Sequence, residues 1–187
     1  MKNVIAISLV AGIVAGCAAK PLEVGSITPI KPLNGASGTD VYAQQRAAGS
    51  AVPDFGGAQL LEVRTYERLE DKGRVEMAGA NCTLSAGTFE ATMSTPAKVR
   101  VPLYRSQSES LAVQCAKAGY KTRLVTLKPF DHTRAQRYSN MNAAAAGGGV
   151  IGLVTTAAVA GIIDATADNT KNVWNYPAAQ IELEREK

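Results

Sequence analysis

Between Leu60 and Phe130 the chain alternates apolar and polar side chains with a period of two residues. Such alternation is typical of β-strands with one buried face. The predicted buried faces are, in chain order, Leu61, Val63 and Thr65; Phe89, Ala91 and Met93; Val99, Val101 and Leu103; Leu111, Val113 and Cys115; and Val125 and Leu127. Turn-forming residues separate these runs at 71–73, 85–87, 94–96, 106–110 and 118–119. This pattern predicts a mainly β fold, a small β-sandwich, with its core in residues 58–130.

Residues 1–16 have the layout of a secretory signal peptide. A positive charge at Lys2 precedes an uncharged apolar stretch from Val4 to Val14, and small residues follow it. The apolar stretch is about eleven residues long, whereas a helix needs roughly twenty residues to span a bilayer. We therefore expect this segment to direct export and then to be removed.

The tetrapeptide Val-Ala-Gly-Cys at 14–17 ends this leader. It resembles the lipobox of bacterial lipoproteins, in which a branched apolar residue and two small residues precede a cysteine. The resemblance implies that Cys17 becomes the first residue of the mature protein and carries a thioether-linked diacylglycerol and an amide-linked fatty acid. The alternative is an ordinary signal peptide that happens to end at a cysteine.

Lipidation would tie the protein firmly to a membrane, because two acyl chains are already enough for stable anchoring. Alanines at 18–19 follow the cysteine. An aspartate directly after the cysteine would resemble an inner-membrane retention signal, and it is not present here. This favours the outer membrane, with the protein facing the periplasm.

Two further cysteines, Cys82 and Cys115, remain once Cys17 is assigned to lipid. An even pair in an oxidising compartment predicts a disulfide. Cys82 is two residues from Leu84, and Cys115 is two residues from Val113, so each cysteine is expected to point into the core with that neighbour. A disulfide there would make it harder for the strand register to slip. The alternatives are a zinc site, for which further ligands are lacking, and a reactive thiol, for which a basic neighbour is lacking.

Three dipeptides mark predicted strand boundaries in the segment 79–120. Gly79-Ala80 opens one strand, Thr95-Pro96 opens another, and Gly119-Tyr120 closes the unit. In this respect the segment resembles a PEGA-like domain, a small β-sandwich common in bacterial envelope proteins, although Met-Ala at 77–78 stands where the name-giving motif has Pro-Glu. The resemblance implies an envelope lipoprotein and supplies no catalytic residue.

Residues 17–57 are rich in proline, glycine, serine and alanine, with few large apolar side chains. Such a segment buries too little surface to offset its ordering entropy. We predict a flexible lipidated tether with at most a short helical turn at 41–48. At the other end, residues 173–187 predict a final strand with Ile181 and Leu183 on one face, at an edge protected by charged neighbours.

A run without any charge extends from Asn140 to Ile163. In it small residues recur at every fourth position, which on a helix would let a second helix approach closely. One interpretation is a glycine-zipper segment that enters a membrane or self-associates, and the other is a hinge and a helix packed on the β domain. Because its content of glycine, alanine and threonine makes transfer into lipid weak, we predict for 131–172 a hinge and a Gly/Ala-rich helix that contacts a membrane or a protein partner without crossing. The predicted helix-contact residues are Gly148, Gly152, Thr156 and Ala160.

Positive charge gathers between residues 117 and 137, with aromatic residues interleaved. In an exported protein such a stretch could bind lipid head groups, lipopolysaccharide phosphates or an acidic partner. The alternative is a solvated face of a sheet. The net charge of +4 is mild and does not predict nucleic-acid binding. The candidate anion-binding residues are Lys121, Arg123, Lys128, Arg134 and Arg137.

The sequence contains no hydrolase, phosphate-binding or redox motif of the common kinds. Its single histidine, His132, is predicted to lie on an exposed loop. We therefore predict no catalytic residue, metal or cofactor, and expect an outer-membrane lipoprotein that acts as a structural or interaction module. The alternative is an oligomerising accessory of a secretion, pilus or flagellar assembly, driven by the zipper segment. A periplasmic hydrolase using His132 is a third hypothesis.

Overall fold

The computed structural model describes residues 20–105, 108–145 and 168–186 and is mainly β. Its strands are β1 Ile27–Pro29, β2 Lys31–Pro32, β3 Phe55–Leu69, β4 Gly73–Met77, β5 Asn81–Ser85, β6 Phe89–Ser94, β7 Ala97–Tyr104, β8 Leu111–Lys117, β9 Tyr120–Leu127, β10 Phe130–Asp131, β11 Trp174–Asn175 and β12 Ala179–Glu182. The helices are α1 Ala43–Ala47 and α2 His132–Ala145, and Asn169–Lys171 forms a 3-10 turn. The predicted leader, Cys17 and the helix-contact residues Gly148, Gly152, Thr156 and Ala160 lie outside the described residues.

The described strands form two five-stranded sheets and one short two-stranded ribbon. Sheet A has the order β1-β7-β3-β12, and sheet B has the order β2-β6-β5-β8-β9. The long β3 pairs with β7 from Phe55 to Val63 and with β4 from Thr65 to Leu69, along the same edge. Pairing is antiparallel except for β1 with β7 and β12 with β3.

The predicted buried faces are largely confirmed. The inward side chains of both sheets belong to one apolar cluster, in which Leu61, Val63, Val99, Val101, Leu111 and Val113 are fully buried. Val125 is only half-buried, because β9 is the edge strand of sheet B. The turns predicted at 71–73, 85–87, 94–96 and 118–119 separate successive strands as expected.

The predicted disulfide is also confirmed. Cys82 and Cys115 are bonded and lie directly opposite each other on β5 and β8, with their Cα atoms 4.1 Å apart. This spacing belongs to the closely spaced class of antiparallel residue pairs, whose side chains are near each other. Both residues are buried, so the bond fastens the register of sheet B from within the core.

The prediction of a flexible tether over 17–57 is wrong for its described part. Strand β1 pairs with β7, β2 pairs with β6, and Val41 is fully buried. Composition misled here because the segment contributes little apolar surface of its own. It gains order from hydrogen bonds and a few contacts with strands that are distant in the sequence.

The loop around Val41 shows how this segment is held. The backbone N–H of Val41 donates to the hydroxyl of Tyr104 at 3.1 Å, and the Asn34 amide donates to the Val41 carbonyl at 2.7 Å. Arg46, in α1, pairs with Asp40 at 2.7 Å. Helix α1 itself confirms the short helical turn expected at 41–48.

The C-terminal elements agree in part with the sequence prediction. Strand β12 is an edge strand of sheet A, and Ile181 and Leu183 are buried, as predicted. His132 is exposed as expected but begins α2 and does not lie on a loop. Its backbone N–H donates to the carbonyl of Val173 at 3.0 Å. No helix within the described ranges is long and apolar enough to cross a membrane.

Candidate interaction surface

The outer side of sheet A is rich in charged side chains. Because side chains alternate along a strand, the positions between the buried residues of β3 all point away from the core. Outward residues of β4, β7 and β12 continue this surface, which we call the charged face. Its members are Leu60, Glu62, Arg64, Tyr66, Arg68, Arg74, Glu76, Lys98, Arg100, Gln180 and Glu182.

An ion-pair network lies at the centre of the charged face. Arg64 and Glu76 approach to 2.5 Å, and their side chains are only 14% and 13% exposed. Arg64 also contacts Glu62 at 3.2 Å, and Lys98 contacts the other oxygen of Glu62 at 3.4 Å. The hydrogen bond from Arg64 lowers the pKa of Glu62, so this carboxylate stays ionised at neutral pH.

A groove of about 810 Å³ opens beside this network. The Arg74 guanidinium stacks 3.7 Å from the centre of the Tyr66 ring and donates to Gln180 at 2.8 Å. Lys72, on the exposed turn between β3 and β4, lines the same groove. Lys72 and Arg74 therefore line this opening together with the paired carboxylates Glu62 and Glu76.

The N-terminal segment lies across the charged face. The backbone N–H of Leu22 donates to Glu76 at 3.0 Å, and Arg64 donates to the Leu22 carbonyl at 3.1 Å. Lys20 also lines the groove and pairs with Glu23 at 3.8 Å. The described chain thus begins directly on this surface.

A second polar cluster joins the two sheets at one end. Glu67 of β3 accepts hydrogen bonds from the Tyr120 hydroxyl of β9 at 2.8 Å and from Arg185 at 3.0 and 2.9 Å. The hydrogen bond from Tyr120, and then the one from Arg185, lower the pKa of Glu67. One carboxylate thereby connects sheet A, sheet B and the C-terminal segment.

Protonation of Glu67 is expected to weaken the fold in acid. Since its folded pKa lies below the ordinary glutamate value of about 4.3, its contribution is complete above that value and is lost as the pH falls through the lowered pKa. Urea unfolding measured from about pH 6 down to about pH 3 should show this loss. Glu67→Gln should flatten the profile, and Tyr120→Phe should flatten it partly. Identical profiles for all three proteins would contradict the role of this cluster.

The outer side of sheet B has a different character. Its central strands β5 and β8 present Asn81, Thr83 and Gln114 to solvent, and Thr92 of β6 and Leu124 of β9 lie beside them. These side chains carry no formal charge, and towards the edge of the sheet Lys31 of β2 pairs with Glu90 of β6 at 3.1 Å. The two outer surfaces of the protein are therefore chemically distinct.

The five candidate anion-binding residues do not form one cluster. Lys121 pairs with Glu184 at 3.4 Å at the start of β9, and Arg123 lies next along that strand. Lys128 follows the far end of β9, about 23 Å away for a strand of this length. Beyond it, Arg134 and Arg137 lie on α2, where Arg137 donates to side-chain oxygens of Asn169 and Asn172. Lys121 and Lys128 therefore lie at opposite ends of β9, and Arg134 and Arg137 lie on a different element.

Sequence reasoning missed the charged face. The signal was present in β3, where Glu62, Arg64, Tyr66 and Arg68 form the polar half of the same alternation that predicted the core. The contributions of β4, β7 and β12 depend on strand order, which the pattern does not reveal. Within the described residues no group of three or more His, Cys, Asp or Glu side chains could hold a metal ion.

Comparison with protein-family models, with curated proteins and with solved structures finds no match for this chain.

Proposed function

We propose that this chain is a lipid-anchored protein of the bacterial envelope, held at the periplasmic side of the outer membrane. Its two sheets act as a PEGA-like β-sandwich and serve as an interaction module without catalysis. The charged face is the surface through which the module makes contact.

The pairing of the cysteines carries this proposal. The core disulfide uses Cys82 and Cys115, which leaves Cys17 as the third cysteine of the chain. Disulfides form and persist in oxidising compartments such as the periplasm, which agrees with an exported protein. Cys17 stands at the end of a lipobox-like segment, where a free thiol is needed for lipid attachment.

The chemistry of the charged face supports an interaction role. It combines partly exposed apolar residues such as Leu60 with a dense set of arginines, lysines and glutamates. Arginines and other charges on a rigid sheet provide specificity and steering in recognition more than bulk affinity. Self-association through the Gly/Ala-rich segment stays a separate prediction.

Replacing Cys17 tests the anchor. In cells supplied with labelled palmitate, the parent protein should incorporate label and sediment with membranes, whereas Cys17→Ser should incorporate none. Ala18→Ser, one residue further on, is the matched control and should behave like the parent. Labelling of Cys17→Ser equal to that of the parent would contradict lipidation at this residue.

A further inference from the structure

We propose that the charged face docks on the phosphate head groups of the bilayer that holds the protein's own lipid anchor. This inference rests on the proposed lipidation of Cys17 and adds an orientation and a ligand to it. The occupant is an anionic phospholipid surface, and not a protein.

The covalent chain limits how far this face can lie from the membrane. Leu22 is hydrogen-bonded through both its N–H and its carbonyl to side chains of the charged face. From Cys17 to Leu22 is five residues, and five residues of extended chain span at most about 17 Å. A lipid on Cys17 therefore keeps the charged face within about two nanometres of the head groups.

The charge of the face complements phosphate. Lys72 and Arg100 are exposed and have no carboxylate partner among the described residues, while Arg74 contacts the neutral Tyr66 ring and Gln180. By contrast Glu62 and Glu76 are already paired with Arg64 or Lys98. Lys72 and Arg100, which have no carboxylate partner among the described residues, can meet phosphate, and basic residues close to an anionic surface are attracted to it.

Apolar side chains occur on the same side of the molecule. Leu22, Ile27 and Leu60 are each about 40% exposed, at 39%, 43% and 43%. Ile27 lies beside Lys98 on β1 and β7, and Leu60 lies beside Arg100 on β3 and β7. Apolar residues interspersed with basic ones are the combination that binds at a membrane interface. The outer side of sheet B, where the Lys31–Glu90 ion pair is surrounded by uncharged side chains, would then face the periplasm.

Lysine acetylation of the full lipidated protein tests this orientation. The protein is reconstituted in vesicles of phosphatidylcholine with about 30% phosphatidylglycerol, in vesicles of phosphatidylcholine alone, and in detergent, and each lysine is followed by mass spectrometry. Lys72 lines the groove of the charged face, and Lys31 of β2 and Lys128 after β9 are the internal controls. We expect acetylation of Lys72 to slow at least about five-fold in the anionic vesicles, with Lys31 and Lys128 unchanged, and half a molar salt to reverse the effect.

Charge reversal provides the matched variants. Lys72→Glu with Arg100→Glu should abolish the protection of Lys20, which lines the same groove, whereas Lys31→Glu with Lys128→Glu should preserve it. Equal acetylation of Lys72 in detergent and in anionic vesicles would overturn the proposal. Protection of Lys72 in whole cells but not in vesicles would overturn it in favour of a protein partner.

Flotation of the vesicles separates this inference from the proposed function. A protein that floats with vesicles but shows no protection of Lys72 has its anchor and lacks the docking. A protein that fails to float, and in which mass spectrometry finds no lipid on Cys17, contradicts the proposed function itself.

Discussion

Replacing Cys82 and Cys115 together by alanine is expected to lower the free energy of unfolding by about 3.5 to 4 kcal/mol. The two residues are separated by 33 positions, and the expected loss follows from the chain entropy that a loop of this length regains when it is no longer closed. Domains of ordinary size have only about 5 to 15 kcal/mol of stability. The change would therefore remove a large share of the total.

Urea unfolding followed by far-ultraviolet circular dichroism measures this loss. The parent and the double variant both carry Cys17→Ser, so that neither protein has a lipid or a free thiol at residue 17. Reduction of the parent by dithiothreitol should reproduce the effect of the double replacement. A difference below about 1 kcal/mol would mean that sheet B is held by its hydrogen bonds and packing alone.

Val41→Asp is expected to release the N-terminal segment and to lower the free energy of unfolding by about 3 to 5 kcal/mol. Val41 is fully buried beside Tyr104, to which its N–H donates. A carboxylate at this position would be buried without a partner, close to the existing carboxylate of Asp40. An uncompensated buried charge costs about this much.

Tryptic cleavage after Arg46 reports release of the segment directly. In the parent Arg46 is held by Asp40 and by the carbonyl of Pro53 at 2.5 Å, so cleavage should be slow, and in Val41→Asp it should be fast. Leu33→Asp is the matched control, since Leu33 is 54% exposed in the same segment and surface changes usually alter stability by less than about 0.5 kcal/mol. Equal cleavage rates in all three proteins would show that the segment is a tether after all.

These two predictions differ in how far the sequence alone could have led to them. The disulfide followed from counting cysteines and from strand parity, and the structure confirms it. Parity succeeds because a half-buried strand must place every second side chain in the core, so Cys115 had to share the face of Leu111 and Val113. The burial of Val41 had no such local signal.

The N-terminal segment was missed because its order is non-local. Its residues from Ile27 to Pro32 pair with β7 and β6, which lie more than fifty positions further along the chain. Low hydrophobicity and many prolines and glycines imply that the segment cannot fold alone. They do not reveal that the edges of two sheets offer it hydrogen-bond partners.

The charged face was also only partly predictable from the sequence. Its central row on β3 is readable from the alternation, yet the approach of Arg64 to Glu76 and of Arg74 to Gln180 depends on β4 and β12 lying on opposite edges of β3. Conversely, Lys121 and Lys128 are close in the sequence but lie at opposite ends of β9. The two ends of an extended strand lie far apart. Closeness in the sequence therefore did not mean that the candidate anion-binding residues are close in space.

What the sequence by itself determined is the alternation that makes strands, the turns between them, the core and the cysteine pair within it. These depend on side-chain period and parity, which are local properties of the chain. Only the tertiary structure decided the order of the strands, the pairing and packing of residues 20–54 against them, and the assembly of the charged face. Those depend on which distant backbones exchange hydrogen bonds, and because every backbone carries the same donors and acceptors, composition does not encode that choice.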